Sequence, residues 1–590
     1  MKLSDYVIDI IKSEGVSHVF EFIGGAIVHL LDSVASRDDI ECVSVRHEQA
    51  GAFAAEAYAR MNGKLGVAMA TSGPGALNLI TGIGSCYFDS VPCLFITGQV
   101  NTYEYKFDRP VRQIGFQETD IVSVAKSLTK YAVLVTKPEQ IRYELEKSIY
   151  LAQNGRPGPV LLDIPMNVQR ADINPEELPS YFDSEEYMEI KAEEQDDLKE
   201  SEIVEIINMI RNSQRPLILA GGGVRISSSQ KQLAEFVDKT GIPLVSSLMG
   251  LDVISHQNPL YCGLIGSYGN RYSNLILANC DLLIILGSRL DSRQTGTRPD
   301  TFGRGAKKIH VDIDRFELNA KINVSLAIKS SLNRFLVSIN DALGDFIKPE
   351  INQWLEKIKD LKDRYPTYSF EPEDNEVEPN RFMELLSSKA ERSRAVCLDV
   401  GQHQMWASQS FRLSKDQRLL NSGGMGAMGF AVPAAIGAAL STQEEVLVIV
   451  GDGGFQLNIQ ELDTIVRLKL PIKMVVINNN SLGMVRQFQD LYFEGRQQST
   501  VNPNPSFIDI GKAYRIPAFA MHSMEDKEEL DRFLTTDGPA LLEVILERKT
   551  EVHPKLVVNR PIEDMYPYLD RDELQEIMLI DLVEEMDIPT

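Results

Sequence analysis

Residues 445–480 have the sequence EVLVIVGDGGFQLNIQELDTIVRLKLPIKMVVINNN, and this stretch decides the predicted fold. A short β-branched run, Val446 to Val450, leads directly into glycine and aspartate. A helical pattern follows, and a second apolar run then ends in three asparagines. Apolar runs of strand length that alternate with helices are typical of a buried parallel sheet. The stretch is therefore predicted to form one strand–helix–strand unit.

The same unit predicts a site for a divalent cation and a diphosphate. Asp452 follows the first strand and Asn479 follows the second, and the carboxyl ends of parallel strands form a common ligand-binding edge. A hard cation takes oxygen ligands from carboxylates, amides and backbone carbonyls. Gly451, Gly453 and Gly454 let backbone N–H groups approach phosphate oxygens. A plain turn explains GDGG alone, but its combination with the helix, the second strand and the asparagines favours the site.

The same alternation continues along most of the chain. Nine short apolar runs occur in three groups, most of them ending in Gly, Ser or Asp. They are GVAMATS, PCLFITG and PVLLDIP, then PLILAGGG, DLLIILGS and KKIHVDID, and finally AVCLDVG, EVLVIVGDGG and IKMVVINN. This pattern predicts an α/β protein with parallel sheets. The first and third groups are compatible with a shared topology.

Two segments of different composition separate these groups. Residues 173–197 are acidic and lack apolar periodicity, and residues 347–379 include the proline-rich run YPTYSFEPEDNEVEP. Such composition is typical of exposed connections between domains. The predicted organisation is an N-terminal domain at 1–172, a linker at 173–197, a central domain at 198–346, a linker at 347–379, a third domain at 380–549 and an acidic tail at 550–590.

Composition argues against two classes of partner. The 590 residues carry a net charge of −24, whereas nucleic-acid binding requires a basic face. The longest apolar runs are far shorter than the roughly 20 residues that span a bilayer. The N-terminal residues MKLSDYVIDIIKSEG have a helical pattern and no signal-peptide run. Six cysteines without CxxC spacing predict reduced thiols, so we expect a soluble, cytoplasmic protein without nucleic-acid or membrane partners.

A second segment carries a notable glutamate. Residues 46–60, RHEQAGAFAAEAYAR, place Glu48 at the start of a predicted helix. The many small residues from Ala50 onward predict that this helix packs closely against a neighbour. Glu48 lies near the positive end of the helix dipole, where an acidic side chain is favourable. Taken alone, the position predicts only a first-turn acid at the protein surface.

These two segments resemble known enzymes. The segment from GDGG to NNN resembles the cofactor signature of thiamine-diphosphate enzymes, and residues 46–60 resemble the segment that carries their indispensable glutamate. The resemblance implies that Mg²⁺ is bound by Asp452, the side chain of Asn479 and the backbone carbonyl of Ser481. It implies that Glu48 hydrogen-bonds the aminopyrimidine and favours its imino tautomer, while the electron chemistry belongs to the cofactor.

The resemblance covers nearly the whole chain and is strongest to the large, catalytic subunit of acetolactate (acetohydroxyacid) synthase. The matching motifs are GPGALNLITGI, FITGQV, GFQETDIV, GRPGPVLLDIP, RPLILAGGG, LDVGQHQMWASQ, NSGGMGAMGFAVPAAIGAAL and NNNSLGMVRQFQDLYF. It implies three Rossmann-like domains with mainly parallel sheets, in the order pyrimidine-binding, central FAD-type and diphosphate-binding. The implied reaction is decarboxylation of pyruvate, a 2-oxo acid, and carboligation of its two-carbon unit, as in branched-chain amino acid biosynthesis. The implied assembly is a homodimer or homotetramer with active sites between subunits, with a small regulatory subunit as a further partner.

Further site residues follow from the same resemblance. Those implied to contact thiamine diphosphate, besides the metal ligands, are Gly401, Gln402, His403, Gly426, Met428, Gly451, Gly453, Gly454, Gly483, Met484 and Val485. The implied catalytic residues are Glu48, Phe116 and Gln117. Gln117 is in a position to stabilise a developing oxyanion by hydrogen bonding. Outside this context each methionine is a core residue, each glycine a turn residue and Gln117 a polar loop residue.

The central domain resembles an FAD-binding domain. Its LILAGGGV segment runs from a strand into glycines, where a pyrophosphate can lie against backbone N–H groups. The segment lacks the spaced GxGxxG motif. The implied FAD contacts are Arg156, Gly221, Gly222, Leu248, Met249, Gly266, Arg289, Asp291 and Arg293. A Rossmann-like domain that has lost its ligand is the alternative interpretation.

The sequence departs from the family pattern around the acceptor site. The segment NTYEYKFDRPVRQIG, with an insertion at Tyr103–Arg112, is longer than the family's loop. Met166, Phe488 and Tyr268 stand where the family has lysine, tryptophan and histidine, and Ser331 lies near an expected aspartate. Specificity depends on the polar groups of a pocket. The insertion is therefore either a solvated loop or a surface for a larger acceptor such as a keto-sugar nucleotide.

Acetolactate synthesis is the predicted function, and three alternatives stay open. The first is transfer of the same unit from pyruvate to a keto-sugar nucleotide. The second is flavin-dependent oxidation of pyruvate. The third is a catalytically silent homologue with a binding or regulatory role, against which the joint presence of Glu48, Asp452 and Asn479 argues.

Overall fold

The fold consists of three parallel sheets that follow one another along the chain. A computed structural model describes residues 1–193, 198–344, 348–368, 376–501 and 503–583. In these residues three six-stranded sheets form, and neighbouring strands in each of them are parallel. Each of the nine apolar runs contains a strand. The predicted α/β fold is confirmed, and none of the described helices is long and apolar enough to cross a bilayer.

The first sheet lies in the N-terminal part of the chain. Its strands are β1 (His18–Phe22), β2 (Glu41–Ser44), β3 (Gly66–Ala70), β4 (Cys93–Gln99), β5 (Tyr131–Leu134) and β6 (Val160–Pro165). Their spatial order is β2-β1-β3-β4-β6-β5. The accompanying helices are α1 (Leu3–Ser13), α2 (Val28–Ala35), α3 (Glu48–Asn62), α4 (Pro74–Asn78), α5 (Ile80–Asp89), α6 (Ile121–Ala125), α7 (Ile141–Gln153) and α8 (Met166–Gln169). Strands β3, β4 and β6 are buried along their whole length, which explains their continuous apolar sequences.

The second sheet has the doubly wound order of dinucleotide-binding domains. Its strands are β7 (Pro216–Ala220), β8 (Leu244–Ser246), β9 (Tyr261–Leu264), β10 (Leu282–Leu286), β11 (Lys307–Asp312) and β12 (Leu326–Lys329). The spatial order is β12-β11-β10-β7-β8-β9. The helices of this region are α9 (Glu185–Glu193), α10 (Glu200–Asn212), α11 (Gly223–Ile226), α12 (Gln230–Thr240), α13 (Arg271–Asn279), α14 (Ser292–Thr295), α15 (Leu332–Leu343) and α16 (Asn352–Arg364). Successive strands are added on opposite sides of the sheet from β7 and β10 outward, and ligands bind at such a switch point in the strand order.

The third sheet repeats the topology of the first. Its strands are β13 (Ala395–Leu398), β14 (Arg418–Asn421), β15 (Val446–Gly451), β16 (Ile472–Asn478), β17 (Ala518–Met521) and β18 (Ala540–Ile545). The order β14-β13-β15-β16-β18-β17 matches the order of the first sheet when strands are counted from the start of each. The helices are α17 (Pro379–Lys389), α18 (Gln402–Ser410), α19 (Ala431–Thr442), α20 (Asp452–Leu457), α21 (Leu462–Arg467), α22 (Gly483–Tyr492), α23 (Phe507–Ala513) and α24 (Lys527–Thr535).

Small residues allow the first and third regions to pack closely through α3 and α19. A Cβ atom added to Gly437 on α19 would lie 1.9 Å from the carbonyl oxygen of Ala54 on α3. The residues of α3 from Ala50 to Ala59 are buried. The close packing predicted from the small residues of this helix is confirmed. It holds the N-terminus of α3, where Glu48 lies, next to the third region.

The segments predicted as linkers are partly helical and partly buried. Helix α9 lies within residues 173–197, and α16 lies within residues 347–379. Trp354 on α16 is buried, and its indole N–H donates to the carbonyl oxygen of Pro216 at 3.1 Å. Composition alone indicated that these two segments are exposed, because their acidic residues outnumber the few apolar residues that pack against the domains. Residues 194–197, 345–347 and 369–375, which belong to the predicted linkers and their borders, lie outside the described residues.

The helix predicted after GDGG is interrupted. Instead of one helix over residues 455–470, the chain forms α20 and α21 with a break at Asn458. The buried Asn458 side chain donates to the carbonyl oxygen of Gly429 at 2.7 Å. Asparagine side chains that bind backbone groups compete with helical hydrogen bonding. This tertiary bond therefore accompanies a break that helical periodicity did not indicate.

The tail packs on the central region. It contains the antiparallel strands β19 (Lys555–Leu556) and β20 (Met565–Tyr566) and the helix α25 (Arg571–Ile577). Glu563 is buried and pairs with Arg304 at 2.7 Å. The backbone N–H of Leu556 donates to the carbonyl oxygen of Ser267 at 2.7 Å. Helix α25 ends at Ile577, and residues 584–590 lie outside the described residues.

Candidate active site

The predicted metal ligands lie side by side at the carboxyl ends of β15 and β16. Gly451 pairs in register with Ile477, so Asp452 and the three asparagines follow neighbouring strand ends. The buried Asp452 carboxylate accepts from the backbone N–H of Ser481 at 3.2 Å and from the Asn504 side chain at 2.6 Å. Burial raises the pKa of Asp452. A bound cation at this position would stabilise the charged form of the carboxylate.

A buried amide network positions Asn479. Its Nδ2 donates to Oε1 of Gln402 at 2.9 Å, which leaves the amide oxygen of Asn479 as an acceptor. Gln402 in turn donates to the carbonyl oxygen of Thr550 at 3.0 Å and to Gln487 at 3.3 Å. A Cβ atom on Gly483 would lie 1.8 Å from Gln402 Oε1, so glycine is required there. Gln402, Asn479 and Gly483, predicted from separate motifs, thus share one cluster.

His403 presents a neutral imidazole beside two glycines. Its ring lies against Gly401 and Gly451, where added Cβ atoms would approach it to 2.6 and 2.8 Å. The side chain is buried, and its Nε2 has no hydrogen-bond partner among the described residues. Burial lowers the pKa of His403 to about 3, because desolvation disfavours the charged imidazolium. An unpartnered ring nitrogen in a buried position is a group that a bound ligand can satisfy.

Asp399 organises the loop that carries Gly426 and Met428. Its buried carboxylate accepts from the backbone N–H groups of Gly429 at 3.0 Å and Ala431 at 2.9 Å. Burial raises the pKa of Asp399 to about 6. The loop brings the Met428 methyl to 3.4 Å from the Cβ position of Gly453. Met428 therefore lies next to the GDGG turn, as its predicted contact with the cofactor requires.

Glu48 lies alongside the short helix α4, and Gln117 lies against the glycine that precedes this helix. Glu48 is 7% exposed and accepts from the Asn78 side chain at 2.9 Å, so it is not the surface acid that its sequence position alone predicts. Gln117 has a φ of +63°, and its backbone packs against Gly73, which precedes α4. Phe116 is 85% exposed. The structure thus brings Glu48 and Gln117 next to α4, whereas Phe116 beside Gln117 in the chain points its side chain to solvent.

Glu48 and its neighbours are called here the Glu48 half-site, and the cluster around Asp452 is called the Asp452 half-site. Among the residues that the structure describes, no hydrogen bond joins Glu48 to the cluster around Asp452. Met484 packs partly buried against the core of the third region, whereas Val485 and Phe488 on α22 are about half exposed. Helix α22 therefore presents apolar side chains to the outside.

A cavity of about 760 Å³ lies between all three regions. Of the nine residues implied to contact FAD, seven line it: Arg156, Gly222, Leu248, Met249, Arg289, Asp291 and Arg293. Gly221 and Gly266 instead allow close packing, since added Cβ atoms would lie 2.2 Å from the Gly287 carbonyl oxygen and 2.4 Å from that of Arg293. The cavity lining includes Gly222 after β7 and Gly287 after β10. It therefore lies at the switch point of the central sheet.

Three positioning residues were missed in the sequence. Asn504 donates to Asp452, Asn78 donates to Glu48, and Asp399 holds the Met428 loop. Asp399 follows β13 in the motif LDVG, and a carboxylate at the end of a parallel strand was a detectable signal. Asn504 and Asn78 lie in segments without such a signal. No group of three or more His, Cys, Asp or Glu side chains suited to a metal occurs in the described part of the chain.

The geometry defines a thiamine-diphosphate enzyme, and comparisons with known proteins agree. Residues 1–124 match the thiamine pyrophosphate enzyme N-terminal TPP binding domain, residues 203–339 the central domain and residues 399–544 the C-terminal TPP binding domain. The chain is 35% identical to the acetolactate synthase large subunit of Lactococcus lactis, covering 97% of each chain. It is 35% identical to the isozyme 2 large subunit of Escherichia coli, over 94% of this chain and 97% of that one. It is also 36% identical to the chloroplastic acetolactate synthase 2 of Nicotiana tabacum, over 96% of this chain and 85% of that one.

These similarities decide the family. The chain belongs to the family of acetolactate synthase large subunits, as the resemblance of its motifs predicted.

The neutral His403 predicts an acid-sensitive protein. Its pKa is about 3 in the folded state and about 6.5 in an unfolded chain. As the pH falls below about 6.5, the imidazole of His403 binds a proton in the unfolded chain but not in the folded chain. Its contribution to the free energy of unfolding therefore decreases, by at most about 1.4 kcal/mol per pH unit. We expect His403→Asn to reduce this slope between pH 6.5 and 5.5, measured by urea unfolding without added cofactor. An unchanged slope in the variant would contradict a buried neutral imidazole.

Proposed function

We propose that this protein decarboxylates pyruvate and transfers the two-carbon unit to a second pyruvate, giving 2-acetolactate and CO₂. The observation that carries the proposal is the cluster of Asp452, Asn479 and Ser481 at neighbouring strand ends, with Gln402 and His403 beside it. The similarity to acetolactate synthases over nearly the whole chain supports the same reaction.

The residues present fit thiamine diphosphate and Mg²⁺. One carboxylate, one amide oxygen and a backbone carbonyl, from Asp452, Asn479 and Ser481, are the oxygen ligands that Mg²⁺ prefers. The unpartnered Nε2 of His403 and the backbone at Gly451 and Gly453 suit a diphosphate. When bound, thiamine diphosphate supplies the electron sink that decarboxylation needs.

The chain's own residues then supply proton control and positioning. Glu48, in a buried position with Asn78 as its donor, would exchange a proton with the aminopyrimidine ring. Gln117 would donate its side-chain amide N–H to the oxygen of the substrate carbonyl as charge develops there. Exclusion of water by the surrounding apolar residues would strengthen both interactions.

FAD is the proposed occupant of the cavity between the three regions. The cavity volume of about 760 Å³ lies within the range of ligand pockets, and its position at the switch point is that of a dinucleotide site. Arg156 is one of the implied contacts, and its guanidinium donates to the carboxylates of Asp314 and Glu317 at 3.1 and 2.9 Å. It would therefore orient these two carboxylates in the segment after β11. Flavin absorbance of the purified protein tests this assignment directly.

A dimer or tetramer that joins the two half-sites is the proposed assembly. Leu77 on α4, Phe116, and Val485 and Phe488 on α22 expose large apolar surfaces, and exposed apolar patches mark interaction surfaces. We propose that the Glu48 half-site of one subunit faces the Asp452 half-site of another. A small regulatory subunit is a further proposed partner, and the six free cysteines support a reducing compartment such as the cytoplasm.

The test of the proposed function is incubation of the purified protein with pyruvate, Mg²⁺, thiamine diphosphate and FAD. We expect acetolactate and CO₂ in equal amounts, with no oxygen uptake. Slow turnover that a keto-sugar nucleotide accelerates would instead support the alternative acceptor. Oxygen uptake or flavin bleaching by pyruvate would support an oxidase.

A further inference from the structure

A single buried carboxylate holds the inserted loop at residues 101–115, called here the 101–115 loop. Glu118 is 5% exposed. Its Oε1 accepts from the backbone N–H of Lys106 at 2.7 Å, and its Oε2 accepts from those of Ile114 at 2.6 Å and Gly115 at 3.3 Å. Ile114 and Gly115 are neighbours at the end of the loop, whereas Lys106 lies eight residues earlier. One side chain therefore ties the middle of the loop to its end.

The beginning of the 101–115 loop is anchored independently. The side chain of Asn101 donates to Glu104 at 2.6 Å. The backbone N–H of Thr102 donates to Asn167 Oδ1 at 2.8 Å, and Asn167 Nδ2 donates back to Thr102 Oγ1 at 3.0 Å. The loop is thus held at both ends, while residues 107–114 between these anchors are exposed.

The same carboxylate residue adjoins Gln117. The backbone N–H of Glu118 donates to the carbonyl oxygen of Gly115 at 3.2 Å, and Gln113 donates to the Glu118 carbonyl at 3.1 Å. Immediately after this turn, the Gln99 side chain donates to the carbonyl oxygen of Thr119 at 2.8 Å. Gln117 lies between these fixed points with a φ of +63°, a conformation that non-glycine residues keep when the surrounding structure holds them.

Movement of the loop would be costly because of Glu118. Removing the backbone donors would leave a buried carboxylate without its hydrogen bonds, which is unfavourable. The described donors to its side chain, Lys106, Ile114 and Gly115, all belong to the loop. The carboxylate therefore couples the conformation of the inserted loop to that of Gln117.

We propose that Glu118 is a positioning residue that fixes the 101–115 loop and thereby holds Gln117 in place for the second, carboligating half of the reaction. The proposal rests on the proposed function, in which Gln117 contacts the substrate carbonyl. Glu118 has no described contact with Glu48, Asp452 or Asn479. We therefore expect it to act through the loop and Gln117, on addition to the acceptor, rather than on cofactor binding.

The test is Glu118→Gln, which keeps the size of the side chain but turns an amide N–H₂ toward backbone donors. We expect kcat/KM for acetolactate formation to fall by about 10- to 100-fold, the cost of a misplaced reacting group, with a raised KM for pyruvate. CO₂ release should fall less, so the acetolactate-to-CO₂ ratio should drop below one, with acetaldehyde making up the difference. Thiamine diphosphate affinity should stay unchanged. A ratio of one with an unchanged KM would overturn the proposal.

A second readout does not depend on activity. We expect the wild-type loop to resist trypsin and the Glu118→Gln loop to be cut faster after Arg112. The matched control is Asp120→Asn, which changes a nearby exposed carboxylate that caps α6 and should leave both readouts unchanged. If Glu118→Gln does not fold, Asn167→Ala loosens the other anchor and should shift both readouts in the same direction. A wild-type protein that makes no acetolactate refutes the proposed function, whereas equal trypsin resistance of wild type and variant refutes the positioning role.

Discussion

Replacing Glu48 by glutamine should lower turnover by about 10²- to 10⁴-fold, the usual contribution of a positioned acid or base. The amide has the same size and can still accept from Asn78, but it cannot exchange a proton with the aminopyrimidine. Because no described hydrogen bond joins Glu48 to the cluster around Asp452, binding of thiamine diphosphate should persist in this variant. The measurements are steady-state acetolactate formation and a fluorescence titration with the cofactor.

Two further variants test whether a loss of turnover in Glu48→Gln is specific to this carboxyl group. Asn78→Ala removes the described donor to Glu48 and leaves its carboxyl, so we expect an intermediate loss of turnover. Glu200→Gln changes an exposed first-turn acid on α10 and should have no effect. Wild-type turnover in Glu48→Gln would show that Glu48 is only a first-turn acid, as its position in the sequence alone indicates.

Replacing Asp452 by alanine should abolish binding of both Mg²⁺ and thiamine diphosphate, and activity with them. The carboxylate is the one charged side chain among the three proposed ligands, and alanine removes the acceptor of the buried backbone N–H of Ser481 and one acceptor of the Asn504 side chain. Even loss of an outer-shell partner weakens metal binding by about 10- to 100-fold, so loss of the ligand itself should exceed that. The measurement is the cofactor retained after gel filtration with Mg²⁺, alongside circular dichroism of the fold.

Two other variants should have smaller effects on Mg²⁺ binding than Asp452→Ala. Asn504→Ala keeps the Asp452 ligand but removes its hydrogen-bond donor, and we expect metal affinity to fall by about tenfold. Asp509→Asn removes an exposed carboxylate on α23 that pairs with Lys512 and should bind like the wild type. Stoichiometric cofactor in Asp452→Ala would show that the cation is held elsewhere.

Local patterns predicted the elements well where burial is uniform. The run at Val446–Val450 and its eight counterparts became strands because a parallel sheet covered on both faces requires continuous apolar sequence. Asp452 and Asn479 were found for the same reason: each directly follows a buried strand, and neighbouring strand ends meet. In these cases the information lies within a few consecutive residues.

Other features depend on residues that are distant in the sequence. The break at Asn458 accompanies its bond to Gly429, and the burial of Trp354 comes from its docking on the central region. Glu118 looked like an ordinary loop acid, because its three donors are brought to it by the folded path of the inserted loop. Periodicity and composition do not predict contacts between residues that are distant in the sequence.

The sequence by itself determined the three parallel sheets and the family, and it predicted the neighbouring positions of Asp452 and Asn479 at two strand ends. These are properties of short segments, in which burial and ligand chemistry demand particular residue types at particular spacings. Only the tertiary structure decided that Glu48 is buried against α4, that one cavity opens between three regions, and that the inserted loop is held by Glu118. Each of these features depends on the free energy of burying groups from different segments against one another. The sequence of a single segment does not predict it.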